Sequence, residues 1–458
     1  MSKEEKEKIA VPMEPRSVEE AKPFLPMAEG APEPPPDKYS LVYLIIFLHG
    51  IGTLMPWNMF ITIADTYYVH FKMLEKPDNS SIPSIKTSYS ENYMSAQNIC
   101  SQLPNLLLNL INIFIVVKGD LTKRIGVSLT VVGACILLTM SFIFADTWTW
   151  MGGFFALTLA IVILLNGSNG IYQNSIFGLV SDFPFKYTNA VIIGNNFCGT
   201  FVSLISIVSI YAFSDVPTQA LVYFAISLLT IAACFCSFFV LKKLPFYRHY
   251  AIDVKRMSTE VGEPVEKNEE EEKGVTFAEF IDTFKEGWIG FTNVFLIFFV
   301  TLTIFPATMI DVVPLPGDWF KEKLGNLHIP VMVFLQFNLL AFIGSMLASW
   351  KQLIPHTQLR WYAYARVLLI PAFLFLNYRP GKRGTLPVIF PSFFFVVFGA
   401  IMSLSSGYMS SLAMMYAPRY VSESRGRIAM MMAAFFLISG IVGGILASKF
   451  IQDIFGLL

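Results

Sequence analysis

The chain has 458 residues, of which 54% are hydrophobic and 14% are charged, and its formal net charge is zero. This composition excludes an ordinary soluble domain and is typical of a polytopic membrane protein. The balanced charge gives no basis for nucleic-acid binding. The five cysteines all lie in apolar runs. We therefore expect neither a disulfide framework nor a metal site, and we predict no cofactor.

Residues 1–38 form a charged, proline-rich segment without the apolar core of a cleavable signal sequence. We interpret this segment as a disordered cytoplasmic tail. The longest internal polar segment, 242–287, is interpreted as a cytoplasmic linker between a six-helix half (39–241) and a five-helix half (288–458). Taking about 20 apolar residues per span, we predict eleven transmembrane helices. They cover roughly 41–63, 93–117, 127–145, 151–180, 189–213, 219–241, 288–310, 329–350, 359–377, 388–415 and 428–451.

Two signals favour a cytoplasmic N-terminus and an extracellular C-terminus. Basic residues such as Lys242 and Lys243 flank the spans mainly on one side, although Arg379 and its basic neighbours argue the other way. The sequence Asn79-Ser80-Ser81 is a glycosylation sequon in the polar loop that follows the first span. We therefore predict a glycan on Asn79.

The first span contains Pro56, which bends its backbone. One face of this helix carries four residues at helical spacing: Leu54, Trp57, Asn58 and Ile61. An indole N–H and an amide are costly against lipid, so this face is expected to line a protein cavity. The alternative is that Trp57 lies at the membrane interface and Asn58 joins two helices.

Four other spans carry polar stripes at helical spacing. Each stripe alone could serve interhelical hydrogen bonding, whereas several together favour a shared polar cavity. The stripes are Asn98, Gln102, Asn105, Asn109 and Asn112 in the second span, Asn166, Asn169, Gly170, Gln173 and Phe177 in the fourth, Phe334, Asn338, Ala341 and Ser345 in the eighth, and Ser403, Ser406, Gly407 and Ser410 in the tenth.

The chemistry of these stripes is amide and hydroxyl, with almost no charge. Phosphates, amino acids or metal cations would require fixed counter-charges, so the permeant is expected to be neutral. Amides beside Trp57 and Phe334 suit a solute with a flat π face and several hydrogen-bonding groups. A sugar, a nucleobase or a nucleoside fits this description, and a nucleoside fits it best.

Five segments in one order resemble the equilibrative nucleoside transporter family. They are GTLMPWN (52–58), GIYQNSIFGL (170–179), the Phe305-Pro306 pair, IPVMVFLQFN (329–338) and SSGYMSSL (405–412). The resemblance implies an all-α fold of six plus five helices, similar to the major facilitator superfamily. It also implies passive movement of nucleosides such as adenosine and uridine by alternating access, most simply at the plasma membrane.

The resemblance also assigns roles to individual residues. Permeant binding is implied for Leu54, Trp57, Gln102, Asn105, Gln173, Phe334, Asn338 and Ile441, to which the polar faces add Asn58 and Ser345. Helix packing is implied for Gly170, Gly194 and Gly199, and we place Pro56 and Pro306 in the same structural group. The chain departs from the family at Ala341 and Ser345, where the family pattern has an Asp and an Arg. Losing both leaves no unpaired intramembrane charge, and it makes recognition depend on neutral groups.

Two alternatives remain open at this point. A proton-coupled carrier of nucleosides or nucleobases would use His49 in the first span, unless that imidazole only bonds a neighbouring helix. A non-transporting receptor or scaffold would retain the fold without carrying a solute. An enzyme is not expected, because the other histidines are scattered without ligand or catalytic spacing.

Overall fold

The computed structural model describes residues 35–75, 85–114, 121–180, 183–250, 275–384, 387–422 and 425–457. Most of them are helical, as the composition predicts. The long helical segments are α1 (Leu41–Ile63), α2 (Ser88–Phe114), α3 (Leu121–Ser141), α4 (Met151–Val180), α5 (Phe185–Ala212), α6 (Val216–Leu241), α7 (Phe277–Ile304), α8 (Gln336–Trp350), α9 (Leu359–Ala365, Arg366–Leu368 and Leu369–Leu374 in succession), α10 (Phe393–Tyr416) and α11 (Gly426–Leu457).

Within the described residues, nine helical segments are long and apolar enough to cross a membrane. The predicted count of eleven is therefore not confirmed. The two other expected spans correspond to α2 and α9. Helix α2 carries the amide stripe that lowers its apolar content, and α9 is divided into three short helical pieces.

Three boundaries differ from the sequence prediction. Helix α1 continues as a π-helical segment, Ala64–Lys72. Helix α7 begins inside the expected linker, because Thr276 and Glu279 form a capping box at its start. Asp37, which we placed in the tail, accepts hydrogen bonds from the backbone N–H groups of Val42 and Tyr43 at the start of α1. A charged cap therefore anchors the beginning of the first helix.

Strands β1 (Leu74–Glu75) and β2 (Ile85–Lys86) pair antiparallel between α1 and α2. We call the side on which this hairpin lies the distal side, and the side on which α1 begins the proximal side. The residues joining the two strands include Asn79, which lies outside the described residues, so its glycosylation stays a prediction.

Three buried apolar clusters show how the two halves meet. One belongs to α1–α6 and the connections among them. A second, at the proximal ends of α7, α9, α10 and α11, contains only residues of the second half. The third joins the halves on the distal side, because Ile61 of α1 lies among Val300, Phe305 and Phe334 of the second half. The two halves are therefore in close apolar contact on the distal side.

Glycine pairs allow helices to cross at very short distances. Gly50 of α1 and Gly194 of α5 face each other, so that a Cβ on either would lie about 3 Å from the other's Cα. Gly344 of α8 and Gly407 of α10 lie against backbone of the partner helix in the same way. Such small residues bring helix backbones together inside a membrane. Gly194, for which we predicted a role in helix packing, therefore lies directly against Gly50.

Candidate functional site

The face of α1 that carries Trp57 points toward the junction of the two halves. Trp57 is half-buried and packs against the distal apolar cluster that contains Ile61, Phe305 and Phe334. Leu54 is half-buried one turn earlier, and its carbonyl accepts a hydrogen bond from the Asn58 side chain at 3.1 Å. The indole is therefore held at the junction of the halves, while the Asn58 amide is partly used by its own helix.

Helices α2 and α4 bring a second group of predicted residues together. The Asn105 side-chain oxygen lies so close to Gly170 that a Cβ there would be 2.9 Å from it. Gln102 is buried on α2, and Gln173 is half-buried on α4 one turn beyond Gly170. Neither glutamine amide bonds another of the described residues. Among the residues that the structure describes, both amides are therefore without a hydrogen-bond partner.

The rest of the α4 stripe is used for helix packing. Asn169 donates to the carbonyl of Thr53, and the Thr53 hydroxyl bonds the Asn195 side chain of α5, both at 2.5 Å. Asn166 is buried and donates to the carbonyl of Val162. The stripe therefore divides into a structural part, in which Asn169 joins α4 to α1, and a part with Gln173, whose amide has no partner among the described residues.

Helix α8 and the π-helical turn that precedes it, Pro330–Leu335, contribute residues from the second half. Phe334 is 2% exposed and contacts the Phe305 ring edge-on at 5.6 Å. Asn338 donates to the Phe334 carbonyl at 2.9 Å and to the Ser203 hydroxyl of α5 at 3.2 Å. Gly199 leaves the space that the Asn338 amide occupies, since any Cβ at this glycine would overlap it. The absence of a side chain at Gly199 therefore leaves room for the Asn338 amide, for which we predicted a binding role.

Ser345 is committed to a hydrogen-bond chain in this structure. The Asn196 amide of α5 donates to its hydroxyl, which also lies 2.9 Å from the Ser411 hydroxyl of α10. The side chain is 5% exposed. Contact between Ser345 and a permeant stays a prediction, while its contact with the first half is direct. Ala341, the other departure from the family pattern, packs its backbone against Gly407.

Two serines of the α10 stripe are packed among the described helices, in contrast to our expectation of a cavity. Ser403 and Ser406 are buried; Ser403 donates to the Gly399 carbonyl, and Ser406 lies 3.0 Å from the Thr301 hydroxyl of α7. The close contact of Gly407 with α8 turns this face into the packing surface of the second half. Helical spacing correctly predicted that these residues share one face of α10, but it could not predict what that face packs against.

Arg366 was missed by the sequence analysis. This cation of α9 is 4% exposed, and its guanidinium donates to the Ile297 carbonyl at 3.0 Å, the Thr301 hydroxyl at 2.9 Å and the Ser405 hydroxyl at 3.1 Å. A cation with apolar residues on both sides is the signal that could have drawn attention to it. Its neutral partners belong to α7 and α10, so Arg366 ties three helices of the second half together.

The remaining predicted residues lie at varied positions. Ile441 is half-buried on α11, beside Gly440 and near Gly444, which lie against the Phe295 and Phe299 carbonyls of α7. Pro56 is buried inside α1, and Pro306 lies at the distal end of α7. Helix α11 therefore uses its small residues for packing against α7.

His49 lies inside the first half. It is fully buried, its Nδ1 is 2.6 Å from the Tyr172 hydroxyl, and its Nε2 is 3.4 Å from the Ser237 hydroxyl. The Phe238 ring contacts it edge-on at 5.9 Å. These contacts join α1 to α4 and α6, which is the structural alternative that the sequence analysis left open.

Comparison with known proteins gives this geometry a context. The sequence model described as "Nucleoside transporter" matches residues 159–452. The chain belongs to this family. It is 28% identical to equilibrative nucleoside transporter 3 of Rattus norvegicus, over 90% of this chain and 88% of the relative. It is also 28% identical to equilibrative nucleoside transporter 1 of Homo sapiens, over 90% of this chain and 96% of that one. The predicted resemblance is confirmed, and the chain is an integral membrane protein.

Solved structures support the fold. A bacterial homologue of the human drug peptide transporters PepT1 and PepT2 matches with a TM-score of 0.52 and 14% identity, over 89% of both chains. The nucleoside transporter NupG matches with a TM-score of 0.51 and 12% identity, over 90% of this chain and 92% of that one. The predicted fold similar to the major facilitator superfamily is confirmed.

Proposed function

We propose that this protein is a facilitative carrier that moves nucleosides such as adenosine and uridine across a membrane by alternating access. The observation that carries the proposal is a set of neutral side chains: an indole and a buried phenyl ring where the halves meet, two glutamine amides without a partner among the described residues, and an asparagine amide that bonds the opposite half. They are Trp57, Gln102, Gln173, Phe334 and Asn338. The relatives named equilibrative nucleoside transporters support the same function.

The division of labour in the site follows from residue chemistry. Trp57 and Phe334 offer apolar ring surfaces to a base, whereas Gln173 and Gln102 offer amide donors and acceptors to the base edge or the ribose. Asn105 and Asn338 supply further amides from opposite halves. A carrier needs release as well as capture, so neutral hydrogen bonds of moderate strength suit it.

We further propose that the distal side is extracellular, at the plasma membrane, with the N-terminus in the cytoplasm. The described residues on either side of the segment that contains Asn79 form the distal hairpin, and an acceptor asparagine must be extracellular to carry a glycan. The packed distal cluster around Ile61 then closes the outer end. On this assignment the structure represents a carrier closed to the outside.

Uptake into liposomes tests the function. Purified protein in liposomes should admit tritiated uridine until its concentrations inside and outside are equal, with the same final level when a pH gradient is imposed. A final level that follows the pH gradient would indicate proton coupling instead. Absence of uptake for uridine and adenosine, in protein that still unfolds cooperatively, would indicate a receptor or scaffold.

A further inference from the structure

Three cations lie on the proximal side of the second half, away from the candidate permeant site. Lys351 follows the end of α8, Arg360 lies in the first turn of α9, and Arg419 lies in the short helical turn Ala417–Tyr420 that follows α10. Lys351 and Arg419 are exposed, whereas Arg360 is half-buried. We call these three residues the proximal cation cluster.

The segment that joins α8 to α9, residues 351–358, is held in place by tyrosine hydroxyls. Tyr408 of α10 donates a hydrogen bond to the Lys351 carbonyl at 3.0 Å. Tyr420 donates in the same way to the His356 carbonyl, and its ring contacts the His356 ring edge-on at 5.8 Å. The segment therefore packs against the proximal end of α10, and it brings Lys351 to that end.

The two arginines of the cluster lie beside neighbouring tyrosines. The Arg419 guanidinium lies 5.0 Å from the centre of the Tyr416 ring. Arg360 lies 4.9 Å from the centre of the Trp361 ring and within electrostatic range of the Tyr420 hydroxyl, one helical turn beyond Tyr416. A cation–π contact orients a guanidinium without neutralising its charge. Both positive charges are therefore retained near the end of α10.

No carboxylate among the described residues neutralises the cluster. None of its three side chains forms an ion pair or a hydrogen bond with another residue that the structure describes. Other cations of the proximal side differ, since Arg425 lies 3.0 Å from the Glu286 carboxylate and Lys285 lies 3.7 Å from the Asp282 carboxylate. Arginine forks bind phosphate oxygens in a planar, bidentate manner. The cluster therefore suits a phosphorylated anion.

The surroundings of the cluster indicate which kind of phosphate it fits. Trp350, Leu353 and Trp361 are exposed large apolar side chains close to it in the chain. Tryptophan is enriched at the level of the lipid headgroups, where one part of the ring is apolar and the other meets water. Acyl chains can pack against these three side chains, whereas a soluble phosphate has no apolar part to do so. The combination favours a phospholipid.

We propose that the proximal cation cluster binds the headgroup of an anionic phospholipid, with its phosphates between Arg360 and Arg419 and its acyl chains along Leu353 and Trp361. The proposal does not depend on the nucleoside function. On the proposed orientation this lipid belongs to the cytoplasmic leaflet, where anionic lipids attract basic segments. A bound headgroup joins the start of α9 to the end of α10, so it should raise the melting temperature.

Binding of a dioctanoyl phosphatidylinositol phosphate to the purified full-length protein in a neutral detergent tests the proposal. The lipid should bind and raise the melting temperature, whereas dioctanoyl phosphatidylcholine, which has the same chains and no net charge, should do neither. Arg360→Gln and Arg419→Gln should each weaken binding about fivefold, as expected for the loss of one cation near a headgroup. Arg248→Gln is the matched control, because Arg248 is an exposed arginine on the same side of the other half. It should bind within about twofold of the parent.

Equal weakening by Arg248→Gln and Arg360→Gln would overturn the site, because it would mean attraction to the whole basic side. Inositol bisphosphate, the headgroup without its chains, should bind at least about tenfold more weakly than the lipid; equal affinity would overturn the assignment to a lipid. If Arg360→Gln unfolds, Arg419→Gln decides, since its side chain is exposed, and an unchanged affinity would contradict the proposal. Nucleoside uptake is not part of this readout, so failure of lipid binding leaves the carrier function intact.

Discussion

Trp57 is the residue on which recognition depends most strongly in this account. Its ring lies against the cluster that joins the halves, so Trp57→Ala removes an apolar surface for the base. We expect a loss on the order of 2 kcal/mol in binding, which is roughly thirtyfold in affinity. Concentration-dependent uridine uptake should show this as a raised KM, with the amount of protein at the cell surface largely unchanged.

Trp288→Ala is the matched control for that change. Trp288 is 50% exposed on α7 and belongs to none of the three buried clusters of the described residues. Its removal should leave the KM for uridine within about twofold of the parent, as expected for an exposed side chain away from the site. Equal effects of the two replacements would mean that Trp57 acts through general stability.

Arg366 makes a second prediction at this scale. Its planar guanidinium reaches acceptors on α7 and α10 at once, whereas a lysine ammonium has one nitrogen and cannot span them. Arg366→Lys should therefore lower the melting temperature by several degrees. Arg248→Lys, at an exposed position, should not change it. An unchanged melting temperature in Arg366→Lys would show that the guanidinium contacts are unimportant for stability.

Among the elements, the crossing of α1 and α5 depends on two glycines. A methyl group at Gly194 would overlap the Phe47 carbonyl and approach Gly50, so Gly194→Ala must separate the helices. We expect reduced stability and reduced uptake together. Gly126→Ala on α3 is the control, because the space around that glycine is open and alanine favours a helix. A stable, active Gly194→Ala variant would contradict the close crossing.

The polar elements show how far sequence alone could lead. The stripes on α2, α4 and α8 predicted amide faces, and Gln102, Gln173 and Asn338 do lie on such faces. Helical periodicity cannot distinguish a face toward a cavity from a face toward another helix. For the serines of α10, the close contact between Gly407 and the backbone of α8 determines that their face packs against another helix.

Two further features depended on contacts between segments far apart in the sequence. Nothing near Ser345 in the chain indicates that Asn196 will bond it, because the two residues meet only when α5 packs on α8. Likewise, the acceptors that hold Arg366 come from α7 and α10. Apolar run lengths predicted where most helices lie. The division of α9 had a signal in the sequence that we did not use, because Pro371 lacks a backbone N–H and disturbs the helical turn before it.

For the whole molecule, Asn196 links the halves while Ser411 bonds the same Ser345 hydroxyl from within the second half. Asn196→Ala should therefore shift the population away from the state described here, whereas Ser411→Ala should not. Spin labels at Val127 and Trp350, exposed toward the proximal ends of α3 and α8, would report the separation of the halves on the side nearer to this bond. Distances that widen equally in both variants would contradict this role of Asn196.

The central claim is that one nucleoside site alternates between the two sides of the membrane. Counterflow tests it most directly: liposomes containing the protein are loaded with unlabelled uridine and diluted into a trace of tritiated uridine. A carrier should give a transient internal excess of label that decays to equal concentrations, and Trp57→Ala should diminish the excess. A steady rise to equality without an excess, in protein that takes up uridine, would indicate a channel and contradict the account.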